Sequence, residues 1–150
     1  MAADAEVKDT DGLWRGVFSE RQAKRAPTFL GLAPAKRSTP PRDLANVFME
    51  KSGERYLSVD RHDDTDEQTA TAKGDQDARK RGVKQFYGWL RLEARDACRH
   101  GRKVVASPTC TNPGHADIIL PEKAEHDSDE RKQQAQELVS YSKWQPRHVE

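Results

Sequence analysis

The chain has 150 residues, of which 34% are hydrophobic and 34% charged, against about 45–50% apolar and about 25% charged in typical soluble domains. Leu, Ile, Val and Phe together fall below roughly a fifth of the chain, where disorder becomes common, but 26 basic against 25 acidic residues leave a net charge of only +1 and remove the self-repulsion that accompanies it. This predicts one small core with polar margins; the short apolar runs exclude a bilayer span or a signal segment, and two cysteines are too few for a stapled secreted scaffold.

A cytoplasmic protein is therefore expected. Residues 1–11 hold one larger apolar residue, Val7, and predict a disordered tail, followed by a single domain over 12–146 and a short tail over 147–150. Leu13, Trp14, Val17 and Phe18, after an Asp11-Gly12 turn, predict a first strand. Residues 20–25 suit a short helix, and Pro27, Pro34, Pro40 and Pro41 predict loop over most of 27–42. Asp43 is placed to cap a short helix carrying Leu44, Val47 and Phe48, ending near Ser52-Gly53. Alternation over 55–60 predicts a second strand with Tyr56, Ser58 and Asp60 on one face and Leu57 and Val59 on the other. Residues 61–74 lack Val, Leu, Ile and aromatics and predict a solvated loop.

A long helix is expected from Asp75 or Asp77 to His100, with Val83, Phe86, Leu90, Ala94 and Ala97 as its apolar stripe and Gly101 as its stop. Residues 103–107 and 115–120 predict two more strands around a turn-rich 108–114, and residues 131–144 a closing helix with Ala135, Leu138, Val139 and Ser142 on one face. This order has too few regular crossovers for a doubly wound sheet. The expected class is α+β, a mixed or largely antiparallel small sheet covered by one long amphipathic helix and shorter helices.

Residues 78–103 hold nine Lys or Arg against two acids, Glu93 and Asp96. Arg79, Lys80, Lys84, Arg91, Arg95 and Arg99 on such a helix form a candidate anion-binding face, with Tyr87 or Trp89 available to stack on a base. The plain alternative is the charged outer face of any amphipathic helix, with the five acids of residues 60–67 as internal compensation.

Cys98, His100, Cys110 and His115 offer zinc-type ligands, but not at the usual pair spacings, and Cys98 falls near the apolar stripe; the expectation is a core cysteine and no metal. Asp60, Asp63, Asp64 and Asp66 lack the glycine and glutamate of a calcium loop. The most specific local pattern runs from Ser107 to Asp117, where an Asn112-Pro113 turn presents His115 and Asp117 at a strand start. Two residues apart on a strand share a face, so the Asp117 carboxylate is placed to orient the His115 imidazole for acid–base work. Alternatively these side chains satisfy backbone amides of the turn. No hydrolase elbow, phosphate-binding glycine loop or dinucleotide fingerprint occurs, and no cofactor is expected.

The succession Leu13-Trp14-Arg15-Gly16-Val17, Phe48, Leu57-Ser58-Val59-Asp60 and Asn112-Pro113-x-His115-Ala116-Asp117 resembles a set of small uncharacterised bacterial proteins with an early Arg, a Ser-Val strand and a late Asn-Pro-x-His motif. It spans most of the chain and implies one domain without implying an activity. Trp14-Arg15-Gly16 and Ser58 are also similar to the first two motifs of ADP-ribosyltransferases; where those enzymes use a late Glu, this chain has His115 and Asp117. Two functions are therefore expected in competition. The first is a bacterial interaction domain binding an anionic partner, protein or nucleic acid, through the basic helix. The second is an enzyme acting on a nucleotide or NAD, with Arg15 clamping a phosphate, Ser58 positioning a ribose and His115 as acid or base beside Asp117 in one pocket.

Overall fold

The computed structural model describes residues 7–8, 10–32, 42–48, 56–61, 66–83, 85–107, 114–119 and 129–148. Six strands, β1 (Gly12–Val17), β2 (Tyr56–Arg61), β3 (Gly88–Glu93), β4 (Lys103–Ala106), β5 (His115–Ile119) and β6 (Lys143–Pro146), form one sheet in the order β4-β5-β2-β1-β3-β6. Every neighbouring pair is antiparallel. Among the described residues the helices are α1 (Glu20–Leu30), α2 (Arg42–Ala45) running into a 3-10 turn (Asn46–Phe48), α3 (Glu67–Arg81), α4 (Ala94–Ala97) and α5 (Asp129–Ser140). The α+β class holds, with all described pairings antiparallel.

Period-two alternation sorts the strand side chains into two cores. Leu13, Val17, Leu57, Val59, Leu90, Leu92, Ala116 and Ile118 face one way and pack with Ala26 and Phe29 of α1, Leu44, Val47 and Phe48 beyond it, and Leu138 and Val139 of α5. Trp14 and Trp89 face the other way and meet Phe86 with Ala70 and Ala78 of α3. The sheet is thus covered on both faces, by α1, α2 and α5 on one and by α3 on the other.

The expected long helix over 75–100 does not form. Its first part belongs to α3, which starts eight residues earlier than Asp75, inside the stretch expected to be a solvated loop. The Asp66 side chain caps it by accepting from the Thr69 amide at 2.7 Å. Its buried stripe is Ala70, Thr71, Gly74 and Ala78, small residues that a search for large apolar ones passes over. Gly82, at φ 69°, takes the left-handed conformation and stops the helix there. Beyond it Val83 is exposed, Phe86 and Leu90 enter opposite cores, and Ala94 and Ala97 lie in the single-turn α4. Leu90 and Leu92 against Trp89 and Arg91 is a strand alternation, buried on both faces because β3 lies between β1 and β6.

Two other helices differ from expectation. α1 continues through Pro27 to Leu30, held by Ala26 and Phe29 in the core and started by Ser19, whose Oγ accepts from the Gln22 amide. α5 stops at Ser140, and the residues expected to end it form the edge strand β6, whose Trp144 packs on the main core. Both expected tail boundaries fall within hydrogen-bonded chain. The Ala94 amide donates to the Asp11 carbonyl at 2.9 Å, the Arg147 amide to the Tyr87 carbonyl at 2.9 Å, and the His148 amide to Thr71 Oγ1 at 2.7 Å. No helix among the described residues is long and apolar enough to cross a membrane.

Candidate functional site

The central strands part beside the middle of the sheet. β1 and β2 pair at Leu13–Arg61 and Trp14–Asp60, and the register stops there. Beyond it the Arg15 guanidinium enters the gap, Nη1 donating to the Ser58 carbonyl at 2.6 Å and Nε to the Val47 carbonyl. The gap is the base of a cleft of about 280 Å³ on the α3 side, lined from β1 by Trp14, Arg15 and Gly16, from the residue after it by Phe18, from β2 by Ser58, Val59 and Asp60, from β3 by Trp89 and from β5 by His115.

Its remaining wall is one face of α3. Lys73, Asp77, Lys80 and Arg81 recur at steps of four, three and one, so they stand together above the sheet. Lys73 and Asp77 pair with each other at 2.8 Å. Arg81 lies 4.8 Å from the Phe18 ring centre, and Lys80 has no ion-pair partner among the described residues. Four cationic side chains against the carboxylates of Asp60 and Asp77 leave the lining positive. Below, Trp14 and Trp89 meet edge to face at 5.9 Å, and Trp89 Nε1 donates to the Ala70 carbonyl at 3.1 Å, so the floor is fixed.

Arg15, Ser58 and His115, three of the four residues singled out for the pocket, line this cleft. Asp117 lies on the same face of β5, opposite Ser58 in the register, but is not part of the lining. Its Oδ1 is buried and has no hydrogen-bond partner among the described residues. The residue that contacts the imidazole is Ser107, with Oγ 2.7 Å and the carbonyl oxygen 3.1 Å from His115 Nδ1. Sequence reasoning passed over Ser107, Lys73, Asp77 and Arg81 as site residues. The three on the helix carried a readable signal, since Lys73, Asp77, Lys80 and Arg81 fall at helical spacing between the Asp66 cap and the Gly82 stop.

No protein-family model matches the chain, and neither a curated protein nor a solved structure matches it.

The basic residues do not share one ridge, because the segment that carries them is divided among α3, β3 and α4 with its following turn. Lys80 reaches the cleft, whereas Arg79 lies beside a second groove with Asp75 and Arg147. Arg91 lies 4.4 Å over the Trp14 ring and donates to Gln145 at 3.3 Å. Arg95 pairs with Glu93 and Arg99 with Asp96, each at 3.0 Å, and Arg99 also lies over Tyr141. Lys84 is outside the described residues, as are Cys110 and Asn112. Trp89 is buried rather than free to stack on a base, and Tyr87 packs against the main core. Cys98 is exposed, not a core residue, because the buried face of α4 is Ala94 and Ala97 and the turn carries Cys98 past it. Among the described residues no cluster of three His, Cys, Asp or Glu is placed to hold a metal.

Proposed function

We propose that the protein binds a compact oxyanion of the phosphate class in the cleft between β1 and β2 beneath α3. The supporting observation is convergence: Ser58 and His115 from the sheet and Lys80 and Arg81 from the helix line one cavity. Lys80 and Arg81 supply the charge, Ser58 a hydroxyl donor and His115 a ring nitrogen. The size of the cleft, about 280 Å³, is at the lower edge of small-molecule pockets, so it suits a phosphate or the phosphate end of a small ester better than a whole dinucleotide.

In this reading Arg15 does not grip the anion. Its Nε and Nη1 are committed to the carbonyls of Val47 and Ser58, and its part is to hold the strands apart. His115 is the acid–base group of the same site, available to a bound ester that needs a proton moved.

Isothermal titration with sodium phosphate, ADP and NAD at low salt tests the reading. The expected result is saturable binding of phosphate and of ADP that weakens about tenfold or more in a Lys80→Glu, Arg81→Glu double variant, since each tenfold corresponds to about 1.4 kcal/mol. Absence of heat with all three ligands, in a protein whose Trp14 and Trp89 fluorescence is that of a folded chain, rejects it.

A further inference from the structure

The contacts of His115 decide which of its nitrogens carries the proton. Of the two Ser107 oxygens at Nδ1, the carbonyl only accepts and the hydroxyl accepts as readily as it donates. A proton on Nδ1 serves both contacts, whereas a lone pair there would face the lone pairs of the carbonyl. The pair is held in place by the Ser107 amide, which donates to the His115 carbonyl at 2.9 Å just beyond the β4–β5 ladder. The neutral imidazole therefore keeps its lone pair on Nε2, and that nitrogen has no hydrogen-bond partner among the described residues.

We propose that this lone pair makes the cleft selective for an oxyanion that itself carries a proton, hydrogen phosphate, over a fully deprotonated one such as sulfate. The inference rests on the anion-binding reading above. Lys80 and Arg81 attract two dianions of the same charge and shape equally, so charge alone does not separate them. The P–OH group of hydrogen phosphate donates to Nε2, while sulfate sets oxygen lone pairs against it and leaves both unsatisfied.

The experiment is a pair of titrations of the intact protein with sodium phosphate and sodium sulfate at matched ionic strength and mildly alkaline pH, read by tryptophan fluorescence. Long-range nitrogen–proton NMR of the same samples follows His115. The expected result is phosphate binding about tenfold or more tighter than sulfate, a neutral His115 protonated at Nδ1, and an Nε2 resonance that moves with phosphate alone. His115→Ala should then bring the two anions to equal affinity, while Lys80→Ala weakens both alike. Equal binding of the two anions by the unaltered protein overturns this inference and leaves the anion-binding reading standing. A neutral ring protonated at Nε2 overturns it as well, without any need for a variant that folds. Failure of both anions to bind removes the reading beneath it.

Discussion

Arg15 Nη1 donates to the Ser58 carbonyl at 2.6 Å across the point where β1 and β2 stop pairing, so a side chain stands in for the ladder bonds that the parted strands give up. The same guanidinium donates from Nε to the Val47 carbonyl and thereby ties the 3-10 turn after α2 to the sheet. A carbonyl left without its donor in a partly buried site costs about 1–3 kcal/mol, and bonds from a charged donor lie toward the upper end. Arg15→Met should therefore lower unfolding free energy by about 2–4 kcal/mol, measured by urea denaturation. Were Arg15 instead a ligand clamp, the same variant would keep its stability and lose only phosphate binding.

Gly74 is held to its residue type by Phe86. A Cβ built at Gly74 would lie 2.4 Å from the Phe86 ring, and that ring is fully buried against Trp89, 5.0 Å between centres. Alanine would gain about 1 kcal/mol from helix propensity, but overpacking of this kind costs about 1–3 kcal/mol and the buried ring is backed by Trp89. Gly74→Ala is expected to lower the melting temperature, whereas alanine at exposed Gln76 of the same helix should raise it slightly. A stabilised Gly74→Ala protein would show that α3 is not seated on Phe86 and Trp89 as described.

The same two aromatics explain how much of the architecture could be read from the chain. β2 was legible because Leu57 and Val59 alternate with Tyr56, Ser58 and Asp60, and β1, β4 and β5 because short runs of aromatic and β-branched residues lie against turn-rich segments. β3 was not, because Trp89, Leu90 and Leu92 are buried on both sides of the sheet while Val83, Phe86, Leu90, Ala94 and Ala97 also recur at the three- and four-residue steps of a helix stripe. α3 was hidden for the opposite reason. A helix that packs through Ala70, Gly74 and Ala78 borrows its apolar bulk from the residues opposite it, so its own sequence reads as polar loop. In the cleft, Ser58 was visible through its likeness to a Ser-bearing strand motif and His115 through the turn-to-strand pattern it shares with Asp117, while Ser107 was not seen as its partner, since nothing in the spacing of Ser107 and His115 fixes which strand residues stand opposite.

Arg102 supplies a second structural anchor away from the cleft. Its side chain is fully buried, with Nε donating to the Ala97 carbonyl at 2.8 Å and Nη1 pairing with Glu137 at 3.1 Å while also reaching Gln134. It joins the turn after α4 to α5, and truncation leaves a carbonyl and a carboxylate without their donor. Glu137 keeps partial access to water, which moderates the penalty, so Arg102→Ala is expected to cost about 2–4 kcal/mol by denaturant titration. A double variant with Glu137→Ala should cost less than the sum of the two single changes. Additive losses would mean that the two residues act independently.

The cap of α3 gives the fold an acid-sensitive element. The Thr69 backbone amide donating to the Asp66 carboxylate holds that carboxyl below its ordinary value of 3.8, aided by the Thr69 side chain. A carboxyl whose value is lowered by folding stabilises the native state above its unfolded value, and that contribution is lost as the pH falls through the folded one. Asp66→Ala should therefore melt below the unaltered protein at neutral pH, and the gap between the two melting curves should narrow as the pH is taken down past 3.8. Asp66→Asn retains an oxygen that accepts from the Thr69 amide without a titrating charge, so its stability relative to Asp66→Ala should be the same at neutral and acid pH. Circular dichroism melts of the three proteins across that range give the comparison. A gap between Asp66→Ala and the unaltered protein that stays constant into acid would place the stabilising bond somewhere other than on the ionised carboxylate.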